Sequence, residues 1–178
     1  DPSALGSDSL GIARILAAVI KDLDYNIILC GKQGMDDDSG VVGANLAELL
    51  GIPQISVVVK LEVSEDGATI QAHREVEGGT FVIEAPLPAL VTAQKGLNEP
   101  RYASLPGIMK AKKKPLDVKT IAELGLDAAQ VGEQGSNIKV VRLTPPAERT
   151  AGKIVDGETP EEKAANLAKL LHEEAKVI

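Results

Sequence analysis

From Gly31 to Gly43 the chain reads GKQGMDDDSGVVG, a stretch whose residue types suit the holding of a phosphate. Gly31, Gly34, Gly40 and Gly43 allow close backbone approach to an anion, because no Cβ stands in the way. A helix opening just beyond Gly40 would add free N–H groups and the positive end of its dipole. Asp36, Asp37 and Asp38 oppose this reading, since three carboxylates repel a phosphate unless they face elsewhere. The glycine spacing is neither the Rossmann fingerprint nor a Walker A loop. On these residues a nucleotide loop and a plain strand-to-helix turn with solvated aspartates both stay open.

The second chemistry-bearing stretch is Leu97 to Lys114, LNEPRYASLPGIMKAKKK. Pro100 and Pro106 bias Glu99 and Leu105 toward extended backbone, which predicts a shaped loop with Leu105 turned outward. Leu97, Tyr102, Leu105, Ile108 and Met109 are apolar, and Lys110, Lys112, Lys113 and Lys114 follow. A loop that sets apolar side chains beside a basic cluster is either a docking surface or a segment folded back on its own core.

Other chemistries find no residues. One cysteine, Cys30, and two distant histidines, His73 and His172, cannot build a zinc site. No serine, cysteine or histidine is placed for nucleophilic catalysis, so no catalytic residue is expected. With 2% aromatics and a net charge of −7, the 178-residue chain lacks a base-stacking platform, and KAKKK is a local patch on an acidic protein. Nucleic acid is therefore not an expected partner. A single cysteine excludes an internal disulfide framework and fits a reducing compartment. No apolar run approaches the roughly 20 residues that span a bilayer, and no leader is visible. The chain reads as soluble and intracellular.

The elements that must position these stretches follow from periodicity. Ser7 or Asp8 caps a helix with Ile12, Ile15, Leu16, Val19, Ile20 and Leu23 on one face. Tyr25–Gly31 reads as a strand buried on both faces of a parallel sheet. A second helix runs from about Val41 to Leu50, closed by Gly51. QISVVVKLEV, ATIQAHREVEG and TFVIEAPLPALVTAQ are β-rich, and Glu65-Asp66-Gly67 and Gly78-Gly79 between them are hairpin signals, so a meander is expected. His73 and His172 read as surface residues. Ile121–Val131 is weak helix or coil, and SNIKVVRLTPP a further strand. ERTAGKIVDGE is a polar extended arm, and Thr159-Pro160-Glu161-Glu162 is a capping box opening a helix with Leu167, Leu170 and Leu171 on one side. That helix packs on another chain or folds back on its own sheet.

Three blocks resemble one family in its own order. NEPRYASLPGIMKAKKKP, GKQGMDDDSGVVGANLAELLG and PPAERTAGKIV are similar to stretches of the electron-transfer flavoprotein β subunit. The resemblance implies an α/β fold, a partial doubly wound, Rossmann-like sheet of the adenine-nucleotide-hydrolase type, with a β meander and a C-terminal arm plus helix. Residues 1–144 would form the nucleotide-binding domain, with a recognition loop at 95–114. Residues 145–178 would pack on the α subunit. The family has a further α/β portion ahead of the position of Asp1, so the chain is expected to be a fragment or a split chain.

The same resemblance implies roles. AMP would be held, without turnover, by Gly31, Gln33, Gly34, Met35, Asp36, Asp37, Asp38, Ser39, Gly40, Val41, Val42, Gly43 and Ala44. Relatives often carry Gln and Thr where this chain has Val41 and Val42, so only backbone contacts would persist there. Leu105, with Tyr102, Pro106, Ile108, Met109 and Lys110, would dock acyl-CoA dehydrogenases and related flavoprotein dehydrogenases. Glu75, otherwise a solvated strand carboxylate, would steady the α subunit's flavin domain through an arginine. The implied function is an electron carrier of fatty-acid oxidation without substrate turnover. It would take electrons through FAD, held mainly by the α subunit, and pass them to a membrane quinone oxidoreductase. DDDSG resembles the electron-carrying members more than the bifurcating ones. The compartment would be the bacterial cytoplasm, or the mitochondrial matrix in a eukaryote. The alternatives are a stand-alone adenine-nucleotide-binding regulatory module and a purely structural subunit.

Overall fold

A computed structural model describes residues 1–148 and 152–178. They form two compact units, Asp1–Lys139 and Val140–Ile178. The expected polar arm passes through Arg149, Thr150 and Ala151, which lie outside the described residues.

In the first unit Asp8 is the N-cap of α1 (Ser9–Ile20), its carboxylate accepting the Gly11 N–H at 2.8 Å. The expected apolar face of α1 packs only in part. Ala13, Ala17 and Ile20 meet α2 (Val42–Leu50) around Leu46 and Ala47, while Ile12, Leu16 and Leu23 are exposed. The helix is apolar nearly all round, so period alone could not choose, and the alanines permit closer approach. Gly51 ends α2 in the left-handed conformation at φ 67°, where a Cβ would be strained.

The sheet is mixed and five-stranded, in the order β1-β5-β2-β3-β4. The strands are β1 (Ile27–Gly31), β2 (Gln54–Val63), β3 (Thr69–Val76), β4 (Gly79–Pro86) and β5 (Ala89–Ala93). This is a Rossmann-like α/β architecture, with β1, β5 and β2 parallel. The two hairpin signals hold: β2–β3 and β3–β4 are antiparallel. At the first, Asp66 accepts the Ala68 N–H at 3.0 Å and the Ser64 hydroxyl at 2.6 Å. The meander, however, stops at β4. TFVIEAPLPALVTAQ breaks between Pro86 and Pro88, which lack ladder donors, and its second half inserts as β5 between β1 and β2. The double burial expected of Tyr25–Gly31 also fails. β1 is an edge strand starting at Ile27, and Leu29 is 60% exposed on the side that α1 and α2 do not cover.

β5 organises the core. Ala89 and Val91 face Ile55, Val58, Ile70, Ala72 and Ala85, whereas Leu90 faces Ala13, Leu46 and Ala47. Full burial of side chains such as Leu46, Ile70 or Leu90 stabilises by roughly 1.5–3 kcal/mol each.

Beyond β5, α3 (Leu105–Ala111) replaces the later part of the expected loop. Ser104 is its N-cap, accepting the Gly107 N–H at 3.3 Å, so the extended residue is Ser104 and Leu105 opens the helix. Pro106 fits a first turn, where its missing N–H costs nothing. Ile121 and Val131 are buried, with turns and a short 3-10 segment, Ala128–Gln130, between them. The segment is clasped by side chains from the start of the chain. Asp1 accepts the Ile121 N–H at 2.8 Å, and Ser7 accepts that of Gly132, which opens the short α4 (Gly132–Gly135), at 2.7 Å. No strand forms over Ser136–Pro146; at its start the Asn137 N–H goes to Asp8 and the Ile138 N–H to the Ser136 hydroxyl.

In the second unit Thr159 caps α5 (Pro160–Glu173), accepting the Glu162 N–H at 3.2 Å while Glu162 accepts that of Glu158 at 2.9 Å. Leu170 and Leu171 are half-buried and Leu167 is exposed. His172 is exposed, its Nδ1 2.9 Å from the Ile178 carbonyl oxygen.

Candidate functional site

β1 ends at Gly31 beside its parallel partner β5, and α2 begins at Val42. Between them lies a cavity of about 330 Å³, lined by Cys30, Gly31, Lys32, Gln33, Gly34, Ser39, Gly40, Val42 and Gly43. This is the position beyond a strand's carboxyl end where open α/β sheets take ligands. The first turn of α2 is open: its N-cap, Val41, makes no side-chain hydrogen bond, and the turn carries no acidic residue. The N–H groups of Val42, Gly43 and Ala44 therefore lack intrahelical partners, and Val42 and Gly43 lie at the cavity.

The three aspartates do not line the cavity. Asp38, at φ 52°, accepts the Gln33 side-chain amide at 2.8 Å, and Asp37 accepts the Ser39 N–H at 3.1 Å. Asp36 is exposed. Two of the carboxylates thus accept hydrogen bonds that shape the loop. Gly40 holds φ 61°, a turn conformation that spares it a Cβ penalty. The Ser39 hydroxyl also accepts from Ser9 at 3.1 Å, tying the loop to the start of α1.

Of the residues expected from sequence, Gly31, Gln33, Gly34, Ser39, Gly40, Val42 and Gly43 come together in the lining. Met35, Asp36, Asp37, Asp38, Val41 and Ala44 are exposed outside it. Sequence reasoning missed Cys30 and Lys32. Lys32 is the one basic residue of the lining, and its place directly after a strand-ending glycine was the available signal. Burial raises the Cys30 thiol above its ordinary pKa.

Along Leu97–Lys114, Tyr102, Leu105, Pro106, Ile108, Met109 and Lys110 are all exposed, Leu105 at 74%. Lys112, Lys113 and Lys114 continue the exposed surface. Neither ion pair among the described residues, Lys60–Glu62 or Lys153–Glu174, uses these lysines. Glu75 stands exposed on β3, and the Gln94 side-chain amide donates to it at 3.4 Å. Its neighbour Arg74 has a buried Nε with no partner, and His73 is half-buried rather than a free surface residue. Among the described residues no cluster of acidic, histidine or cysteine side chains is arranged to hold a metal. No helix among them is long and apolar enough to cross a membrane.

A parallel β1–β5–β2 core with a glycine-lined cavity at a helix start defines a Rossmann-like α/β protein. The family model of the electron transfer flavoprotein domain matches residues 1–124, and the chain belongs to that family. It is 46% identical over 173 residues to the electron transfer flavoprotein subunit beta of Bacillus subtilis, covering 96% of this chain and 64% of the relative. Over 150 residues it is 44% identical to that of Bradyrhizobium diazoefficiens, with 84% and 57% covered. The corresponding protein of Bos taurus is 39% identical over 161 residues, with 90% and 59% covered. The chain thus spans about three fifths of the length of these curated relatives.

Proposed function

We propose that the chain serves as the β-subunit part of an electron-transfer flavoprotein and binds AMP at the start of α2. The observation that carries this reading is the uncapped first turn of α2, opening on a glycine-lined cavity with Lys32 in its wall. Free N–H groups, the helix dipole and one cation suit a monophosphate, and none of the three aspartates lines the cavity. Val41 and Val42 offer no side-chain donor, so their part is limited to backbone contacts.

FAD, held mainly by an α subunit, supplies the redox chemistry when bound. This chain's residues bind and orient. The exposed Leu105, beside Tyr102, Pro106, Ile108, Met109 and Lys110, docks acyl-CoA and related flavoprotein dehydrogenases. Glu75 steadies the flavin domain of the α subunit, and residues 145–178 pack on that subunit. Electrons leave to a membrane quinone oxidoreductase, and the chain turns over no substrate of its own. The test is copurification with the α subunit, followed by acid extraction and absorbance. A yellow heterodimer releasing FAD and AMP supports the proposal. A yellow heterodimer with FAD alone overturns the AMP site, and a colourless protein retaining nucleotide supports the stand-alone module instead.

A further inference from the structure

We propose that Thr92 is a positioning residue that joins the nucleotide cavity to the end of β3 that carries Glu75. This rests on the AMP reading of the cavity given above.

Thr92 is 3% exposed and follows Ala89, Leu90 and Val91, all completely buried, along β5. Valine would fill the same space, and a hydroxyl buried there needs a partner. The partner is the Val57 N–H, which donates to the Thr92 Oγ1 at 3.0 Å. Val57 stands at φ 58°. A β-branched residue in the left-handed region is a true outlier and persists only where its surroundings hold it.

The outlier lies at a break in pairing. Between β2 and β5 the register jumps from Ile55 opposite Val91 to Val58 opposite Ala93, which frees the Val57 N–H from the ladder. Past the bulge, Val58 also pairs with Arg74 on β3, and its carbonyl accepts the Gln94 N–H at 2.9 Å. The Gln94 side chain then reaches Glu75. The bulge therefore sets how β2 passes from its parallel partner to its antiparallel one, and so where Glu75 stands.

The other end of the same side chain touches α2. A methyl group added at Gly43 would lie 2.9 Å from the Thr92 Cγ2. Gly43 is the buried second residue of the helix, and Thr92 pairs in register with Cys30, another lining residue. Because the hydroxyl is anchored on Val57, the γ-methyl has a fixed place and sets how closely the open turn of α2 sits on the sheet.

The test uses the full-length protein in complex with its α subunit. Gly43→Ala should weaken AMP binding by about tenfold or more, since a clash of one methyl is worth roughly that factor. Thr92→Ser, which removes only the methyl, should recover most of the loss in the double variant. Thr92→Val keeps the shape and removes the acceptor. Exchange of the Val57 amide should then quicken at least about tenfold, while Thr92→Ser leaves it protected. AMP affinity unchanged in Gly43→Ala, or lost there without recovery by Thr92→Ser, overturns the packing half of the proposal. Equal Val57 exchange in Thr92→Val and wild type overturns the brace. If the wild-type complex binds no AMP, the nucleotide reading itself fails, and the exchange comparison still decides whether Thr92 holds the bulge.

Discussion

Asp8 accepts the backbone N–H of Asn137 at 2.7 Å, a contact between residues 129 positions apart. The other oxygen of the same carboxylate caps α1 on Gly11. These bonds, that to Gly11 first and those to Asn137 next, hold the Asp8 carboxyl below its ordinary pKa of 3.8. A depressed folded-state pKa means the stabilisation is present above the unfolded value and is lost as pH falls through the folded one. Asp8→Asn retains a capping side chain without the charge. Melting temperature should therefore fall less steeply below pH 3.8 in Asp8→Asn than in wild type. Parallel curves would show that Asp8 makes no contribution to acid sensitivity.

Ala44 is the exposed third residue of α2 and separates an anion site from a plain turn. A carboxylate there complements the helix dipole, so Ala44→Asp should stabilise the fold by about 0.3–1 kcal/mol. The same charge should repel the nucleotide phosphate and lower AMP affinity by about 3- to 10-fold, taking about 1.4 kcal/mol as tenfold. Thermal melting and AMP titration should thus move in opposite directions. An Ala44→Asp protein that binds AMP as tightly as wild type would move the phosphate elsewhere.

Leu105 starts α3 with its side chain largely in solvent. Its burial in a partner's apolar pocket is worth roughly 1.5–3 kcal/mol. Leu105→Ala should weaken docking of a dehydrogenase by about 10- to 100-fold, read as a raised KM for the flavoprotein as electron acceptor. The melting curve should hardly shift, because an exposed residue contributes little to the core. Unchanged acceptor kinetics would remove Leu105 from the interface.

Glu75, exposed on β3, accepts a single long hydrogen bond, from the Gln94 side-chain amide. Glu75→Ala should cost about 0–1 kcal/mol of stability. Its effect should instead fall on electron transfer, through the orientation of the α-subunit flavin domain. Stopped-flow rates with donor and with quinone acceptor both matching wild type would exclude that role.

The local chemistry of this chain was legible in its residues. Asp8 and Thr159 cap their helices, Gly51 ends α2, and Glu65–Gly67 and Gly78-Gly79 turn their hairpins. The order of β1, glycine loop and α2, and with it most of the cavity lining, follows from the same near-neighbour rules. Each of these features is decided by a few consecutive residues, because side-chain oxygens, glycine φ and proline act on backbone within one turn. Tertiary structure alone decided which face of α1 packs, that β5 enters between β1 and β2, and that Val57 gives its N–H to Thr92. Those outcomes depend on which distant surfaces bury each other best, and an apolar strand such as ALVTA satisfies its own pattern equally well beside several partners.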